Sequence, residues 1–345
     1  MAVVYNEPFL PSDHPDAASE ADVVGVARAV AAAIESSGFF AVPVAAAPPL
    51  GTFLSLLEQA EPDVVFNLVE GFGLRSSGAT YLAAVFELLG VPYTGSPVEA
   101  LSACVSKART KALLRGHGLP VTPCIVVGPR DPVPVPDWNC PTFVKLDAED
   151  GSLGIDQQSV VGRPDELPAI IERLRRSHGG AVLIEPYLPG PEFNVGVVAW
   201  PEPSALPLAR VAYLTRPGKW PILTYQAKWA EGSEEDLASV IECPAQIDLD
   251  LAENLKGLAI AAFRASGCRD YARIDFRLDR DGKPMILEIN PNPDIGPKAG
   301  IARAMRVAGI PYESAIAAIV NQALERGPPD GRSGCGNHPG PLPAR

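Results

Sequence analysis

The sequence predicts an α/β protein that opens on a doubly wound parallel sheet and closes on a β-hairpin with one charged face. Three observations carry this. Over residues 1 to about 96, short apolar runs alternate with helix-period segments, the pattern of parallel strands buried on both faces. From Leu101 the pattern changes to a basic helix, a Pro-rich loop and a strand with one lysine. Residues 271–293, YARIDFRLDRDGKPMILEINPNP, alternate with period two about the turn Asp279-Arg280-Asp281-Gly282.

Taken in order, AVVY at 2–5 is a strand, and 22–36 is an Ala/Val-rich helix that stops near Gly38. A strand at 41–44 and a helix at 53–60 follow. DVVFNLVEG at 63–71 reads as a buried strand entering a Gly-rich loop, and 80–89 as a helix. Ligands of such sheets lie beyond the carboxyl ends of the strands. This puts Asn6, Glu7, Asn67, Glu70 and the 71–78 loop beside a cleft. That loop, GFGLRSSG, has neither dinucleotide-binding nor P-loop spacing.

A second unit is expected over 97–185. It holds a helix from Lys107, a short strand ending at Val127, the strand TFVKL at 142–146, the loop DAEDGSLGI, a helix at 165–177 and the strand VLIEPYL. A hinge at 185–190 leads to a third unit over 186–326. That unit has strands at 193–200 and 210–214, a polar segment at 215–245, a helix at 248–266, the hairpin, and a helix at 312–325. Residues 327–345 are Gly/Pro-rich and read as a disordered tail.

The chain has 345 residues, enough for two or three cores. Its net charge of -12 disfavours nucleic acid and anionic membranes as partners. Six scattered cysteines without metal spacing read as buried free thiols of a reducing compartment. With no basic-then-apolar leader and no membrane-length apolar run, the expected location is the cytoplasm.

The hairpin concentrates the chemistry. Arg273, Asp275, Glu288 and Asn290 share one face, while Ile274, Phe276, Leu278, Met285, Leu287 and Ile289 share the other. A tight turn pairing Asp279 with Gly282 sets Arg273 opposite Glu288 and Asp275 opposite Ile286. Two carboxylates and an amide oxygen suit Mg²⁺ held by nucleotide phosphates, and an adjacent arginine suits a transferring phosphoryl group. A merely solvated charged face has the same composition, but facing acids repel without a cation between them. Lys145 in an apolar strand needs an anion to meet, or a solvated edge. Lys107, in a basic cluster, reads more readily as a surface helix lysine. Gly151, Ser152 and Gly154 lie in a loop of the kind that covers phosphates. Glu185 and Glu192 flank the hinge, where they could also be solvated loop acids.

Read together, PYTGSPVEALSACVSKARTK, VLIEPYLPGPEF and ARIDFRLDRDGKPMILEINPNP resemble the ATP-grasp superfamily, and within it the D-alanine–D-alanine ligases, over about 60–326. The resemblance implies a three-domain ATP-grasp architecture, α+β in its nucleotide-binding part, with ATP and Mg²⁺ as cofactors. The implied chemistry is phosphorylation of a carboxylate to an acyl phosphate, which an amine attacks to form an amide. Lys107 and Lys145 then match the phosphate-contacting lysines, and Gly151, Ser152 and Gly154 the lid. Glu185 and the backbone at Leu188 match the adenine contact, and Glu192 the ribose contact. Lys228 matches the mobile-loop lysine, Arg273 the transition-state arginine, and Asp275, Glu288 and Asn290 the metal ligands. Glu20 matches the acid that grips the first substrate's ammonium.

The implied partners are small amino-acid-like substrates, with a homodimer open. Departures gather on the substrate side. The 69–78 loop lacks the usual His-Gly…Gly-Glu-Asp-Gly, Trp229 replaces a common tyrosine, and Pro293-Asp294 stands where a Pro-Gly and then a serine are usual. Arg75 or Lys298 is then a candidate for a substrate carboxylate and Asp294 for an amine. A ligase for other amino acids, or a nucleotide-binding sensor that no longer ligates, remains an alternative at this point.

Overall fold

The structure, a computed structural model, describes residues 1–9, 17–73, 77–139, 141–214 and 217–328, and the side chains of all of these except 17–21. Arg75 and residues 329–345 of the expected tail lie outside the described residues.

Strands β1 (Ala2–Asn6), β2 (Val42–Ala46) and β3 (Val65–Asn67) pair in parallel in the order β2-β1-β3. Strand alternation sorts their side chains onto two cores. Val3 and Phe66 pack with Ala27, Val30 and Ile34 of α1 (Ala17–Ser36) and with Ile316 and Ile319 near the carboxyl end. Ala2, Val4 and Val65 pack on the other face with Phe53 and Leu57 of α2 (Leu50–Gln59) and Leu82 and Phe86 of α3 (Gly78–Leu89). The sheet is therefore doubly wound, as expected. Its third strand is shorter than the apolar run 63–71, because the Asn67 side chain accepts from the Val69 amide and turns the chain.

Helix α4 (Val98–Val105) breaks at Ser106, whose extended backbone and hydroxyl cap α5 (Lys107–Gly116) by accepting from the Arg109 amide. An antiparallel sheet follows, with β4 (Ile125–Val127), β5 (Thr142–Leu146), β6 (Val160–Val161) and β7 (Val182–Pro186) in the order β4-β7-β5-β6. Helix α6 (Leu167–His178) seals it through Leu167, Ile171 and Leu174.

The largest sheet contains β8 (Glu192–Ala199), β9 (Pro203–Ala205), β10 (Ala209–Tyr213), β11 (Ser239–Glu242), β12 (Tyr271–Leu278) and β13 (Pro284–Asn290). Its order is β11-β10-β8-β12-β13, with β9 on β8. The segment before β11 contains a short helix, α7 (Tyr225–Trp229). Helix α8 (Leu249–Ala265) buries Leu255, Ala259 and Phe263 against Val195, Ala272, Ile274 and Phe276. Helices α9 (Gly300–Val307) and α10 (Tyr312–Arg326) close the chain, and α10 covers α1.

The hairpin register departs from the expected one. Arg273 faces Asn290 and Asp275 faces Glu288, with an irregularity between Asp275 and Phe276. The turn is one residue wider than a tight one: the Asp279 carboxylate accepts from the Asp281 and Lys283 amides, and the Asp279 amide donates to the Lys283 carbonyl. Leu287 is then bulged, which adds a second residue of shift. As a result Ile286, not Met285 or Leu287, enters the core. Its backbone is held from outside, the amide by the Pro120 carbonyl and the carbonyl by Lys111 Nζ at 3.3 Å.

Candidate active site

A cleft of about 1110 Å³ lies between the central and large sheets and is bounded by the ends of β1 and β3. Arg273, Asp275, Glu288 and Asn290 project from β12 and β13 into it, because α8 takes the opposite, apolar face of β12. Gly151, Ser152, Glu185, Leu188, Glu192, Lys145 and Lys228 also line it. Gly154 does not. It is a left-handed residue (φ 72°) at which a side chain would run into Leu174, His178 and Leu146, so it shapes the lid turn rather than the cleft wall. Lys107 stands behind the wall, with Nζ 2.6 Å from the Glu149 carbonyl, 3.2 Å from Asp150 and 3.4 Å from Glu288. The Glu20 side chain lies outside the described residues.

Charge is arranged in two layers. In the first, Arg273 grips both oxygens of Asp275, Nε to Oδ1 at 2.8 Å and Nη2 to Oδ2 at 2.9 Å, while Asn194 Nδ2 donates to Oδ1. Burial by itself would raise the Glu288 carboxyl, but Lys107, Lys145, Arg273 and Lys228 outweigh it and hold it at about 2. Lys228 is driven below its ordinary value, first by burial and then by Arg273.

In the second layer, Glu185 takes Lys145 at 2.8 Å and Lys111 at 2.9 Å, and the Thr122 hydroxyl donates to it at 2.6 Å. Burial opposes its ionisation, yet the two lysines bring it down to about 2. Lys111 is shifted down, chiefly by burial. Lys111 and Asn194 are neighbours of the site that the sequence gives no means of singling out, because their partners are far away in the chain. Arg277, a cation in a largely apolar strand, carries the kind of signal that drew notice to Lys145.

The Glu70 carboxyl lines the far end of the cleft and is pushed up to about 7, by desolvation first and then by Asp294 and Asp150. Asp294 lines the same end and is also raised, chiefly by burial. The lid is tied to α7: Trp229 Nε1 donates to the Gly151 carbonyl at 3.0 Å.

Two facing carboxylates and an amide oxygen, rimmed by four cations and open to a nucleotide-sized cleft, fit Mg²⁺ that arrives with a polyphosphate. Asp275, Glu288 and Asn290 would supply the protein oxygens and leave the rest of the ion's ligands to phosphate and water. The sequence model of the family described as "D-ala D-ala ligase C-terminus" matches residues 113–321. The chain belongs to the D-alanine–D-alanine ligase family. A D-alanine–D-alanine ligase of Mycolicibacterium gilvum is 35% identical over 277 residues, covering 78% of this chain and 71% of that protein. An uncharacterized Sinorhizobium fredii protein, y4sG, is 34% identical over 263 residues, covering 76% and 75%. The D-alanine–D-alanine ligase structure of Bacillus anthracis complexed with ATP superposes with a TM-score of 0.73 at 20% identity, over 94% of this chain and 98% of that one. Among the described residues, no helix is long and apolar enough to cross a membrane.

Proposed function

We propose that this chain is an ATP-dependent ligase that phosphorylates a small amino acid's carboxylate and joins it to an amine. The observation that carries this reading is the β12–β13 platform, where Asp275 faces Glu288 beside Asn290. There Arg273 pairs with the first acid and Lys107 with the second, and Lys145 and Lys228 add their charge to the field at Glu288. Phosphoryl transfer asks mainly for positioning and charge neutralisation, and the platform offers both. Asp275, Glu288 and Asn290 would hold Mg²⁺, which when bound neutralises developing charge on the phosphates. Lys107 and Lys145 would meet phosphate oxygens. Gly151, Ser152 and Gly154 would form the cover, and Lys228 would close with it. Arg273 would stabilise the transferring group. Glu185 would steady Lys145, and the strand it ends would bring the Leu188 backbone to the base.

D-alanine is the nearest substrate by family. Glu70 and Asp294, both lining the cleft, place two carboxyl groups at its far end, and a substrate ammonium arriving there would favour their ionised forms. The free thiols Cys104, Cys124, Cys243 and Cys268 support work in the reducing cytoplasm. Leu50, Leu56, Tyr81, Leu88 and Leu89 on α2 and α3 are exposed and offer an apolar surface for a homodimer. Light scattering of the purified chain reads that state directly.

The deciding experiment is ADP release with ATP and Mg²⁺ across a panel of D- and L-amino acids and dipeptides. Release with a D-alanine pair assigns that activity, and release with another pair alone moves the substrate and keeps the ligase. ATP binding with no ADP from any pair replaces the ligase by a sensor.

A further inference from the structure

Arg277 is the one residue of the β12 charged face that the reaction described above does not use. It is 6% exposed, and its guanidinium ties the 187–192 stretch to Pro221 and lies near the ring of Tyr213. Nε donates to the Gly190 carbonyl at 3.1 Å, Nη1 approaches Glu192 Oε2 at 3.4 Å, and Nη2 donates to Tyr187 Oη at 3.2 Å and to the Pro221 carbonyl. The guanidinium also lies 5.1 Å from the Tyr187 ring and 5.9 Å from that of Tyr213. Across the β12–β8 ladder Arg277 is the register partner of Glu192.

These contacts decide how Glu192 is presented. Tyr213 Oη donates to Oε2 at 2.9 Å, and Arg277 lies against that same oxygen. Among the described residues both partners therefore act on Oε2, and Oε1 is left for the cleft that Glu192 lines. A carboxylate that stays ionised is an acceptor only, so it suits a ligand that presents hydroxyls. Burial pushes the Glu192 carboxyl up, and Arg277 is the largest counterweight. The same guanidinium fastens Pro221, next to the cleft residue Ile222. Trp220 on the other side exchanges hydrogen bonds with Gln157 at 2.8 and 3.3 Å.

We propose that Arg277 is a positioning residue for the nucleotide, holding Glu192 with one oxygen turned to the ribose hydroxyls and pinning the 220–222 wall beside them. This rests on the ATP-dependent reading above. An ionised acceptor's hydrogen bond is worth about 1.5–3 kcal/mol, or about tenfold to a hundredfold in affinity.

The test is calorimetric binding of Mg·ATP and Mg·2′,3′-dideoxy-ATP to the full chain. Wild type is expected to prefer ATP by about tenfold or more. Arg277→Met is expected to erase that preference by weakening ATP alone, and in turnover to raise the KM for ATP with kcat little changed. Arg277→Lys keeps the charge but not the span. It is expected to show an intermediate preference, and it serves if the Met variant does not fold. Equal weakening of both nucleotides, or an unchanged preference in either variant, overturns the proposal. Wild type that binds no Mg·ATP at all removes the ATP-dependent reading itself, before Arg277 is in question.

Discussion

Asp275 lies directly across from Glu288, and the bulge at Leu287 puts it there. Facing carboxylates on neighbouring strands repel, so this pair is tenable only with positive charge around it. Arg273 answers Asp275 and Lys107 answers Glu288, each from its own direction. Before any ligand arrives, the cations that would meet phosphate are held by the acids that would meet metal.

Glu288→Gln keeps shape and hydrogen bonding but removes the charge that four cations share. Turnover is expected to fall by several orders of magnitude, while the circular dichroism of the native state is retained. ADP release at wild-type-like rates in this variant would remove Glu288 from the metal site.

The ion pairs also set an acid limit on stability. Glu185 and Glu288 are held at about 2 in the folded chain, against 4.5 for the free side chain. A depressed carboxyl contributes fully above pH 4.5, and its contribution is lost as pH falls through 2. Glu70, raised to about 7, acts in the opposite sense: its contribution is present below pH 4.5 and is lost as pH rises through 7. Its opening to cleft water keeps that effect small. Urea melts of wild type are expected to lose stability between pH 4.5 and 2, with a shallower loss in Glu185→Gln. Coincident slopes would mean that Glu185 is not ionised in the native protein.

Lys111 supports the site without lining it. It is 1% exposed and bridges Glu185, Thr122 and the Ile286 carbonyl at the bulge. Removing one member of so buried a pair strands the other, which costs about 3 kcal/mol. Lys111→Met is expected to show that loss in denaturant melts. It is also expected to weaken ATP binding, because Glu185 then draws on Lys145 alone. A variant as stable as wild type would show that Lys145 and Thr122 suffice to neutralise Glu185.

The sequence makes the local features of this site visible and hides those made by distant segments. TFVKL is bounded in the structure where its composition bounds it, and the shared face of Arg273, Asp275, Glu288 and Asn290 follows from alternation alone. The register does not. It depends on Asp279 widening the turn and on Pro120 and Lys111 seizing Ile286, contacts that reach back over 160 residues. Read by sequence, the helix begins at Lys107, where α5 begins, while α4, only eight residues long and separated from it by Ser106 alone, is not singled out. Helix α9 is similarly short and follows a Gly/Pro-rich turn, and α7 is a single turn set by the Thr224 cap. Glu185 was legible as an acid near the hinge, but its two lysine partners come from α5 and β5.

Trp229 shows what one such departure does. Its indole N–H reaches the Gly151 carbonyl and ties the lid to the helix that carries Lys228. A tyrosine ends in a hydroxyl at a different reach, so the bond belongs to the indole. The Tyr225 amide, bonded to the Ile155 carbonyl, holds the far side of the lid and does not depend on Trp229. Trp229→Phe is therefore expected to free residues 150–153 while leaving 155 protected. Hydrogen exchange without nucleotide reads this residue by residue: faster exchange at Leu153, whose amide donates to the Asp150 carbonyl, unchanged exchange at Tyr225, and global stability within about 1 kcal/mol of wild type. Exchange that rises equally at Tyr225 would mean that lid and helix open as one body and that the indole bond does not link two independent parts.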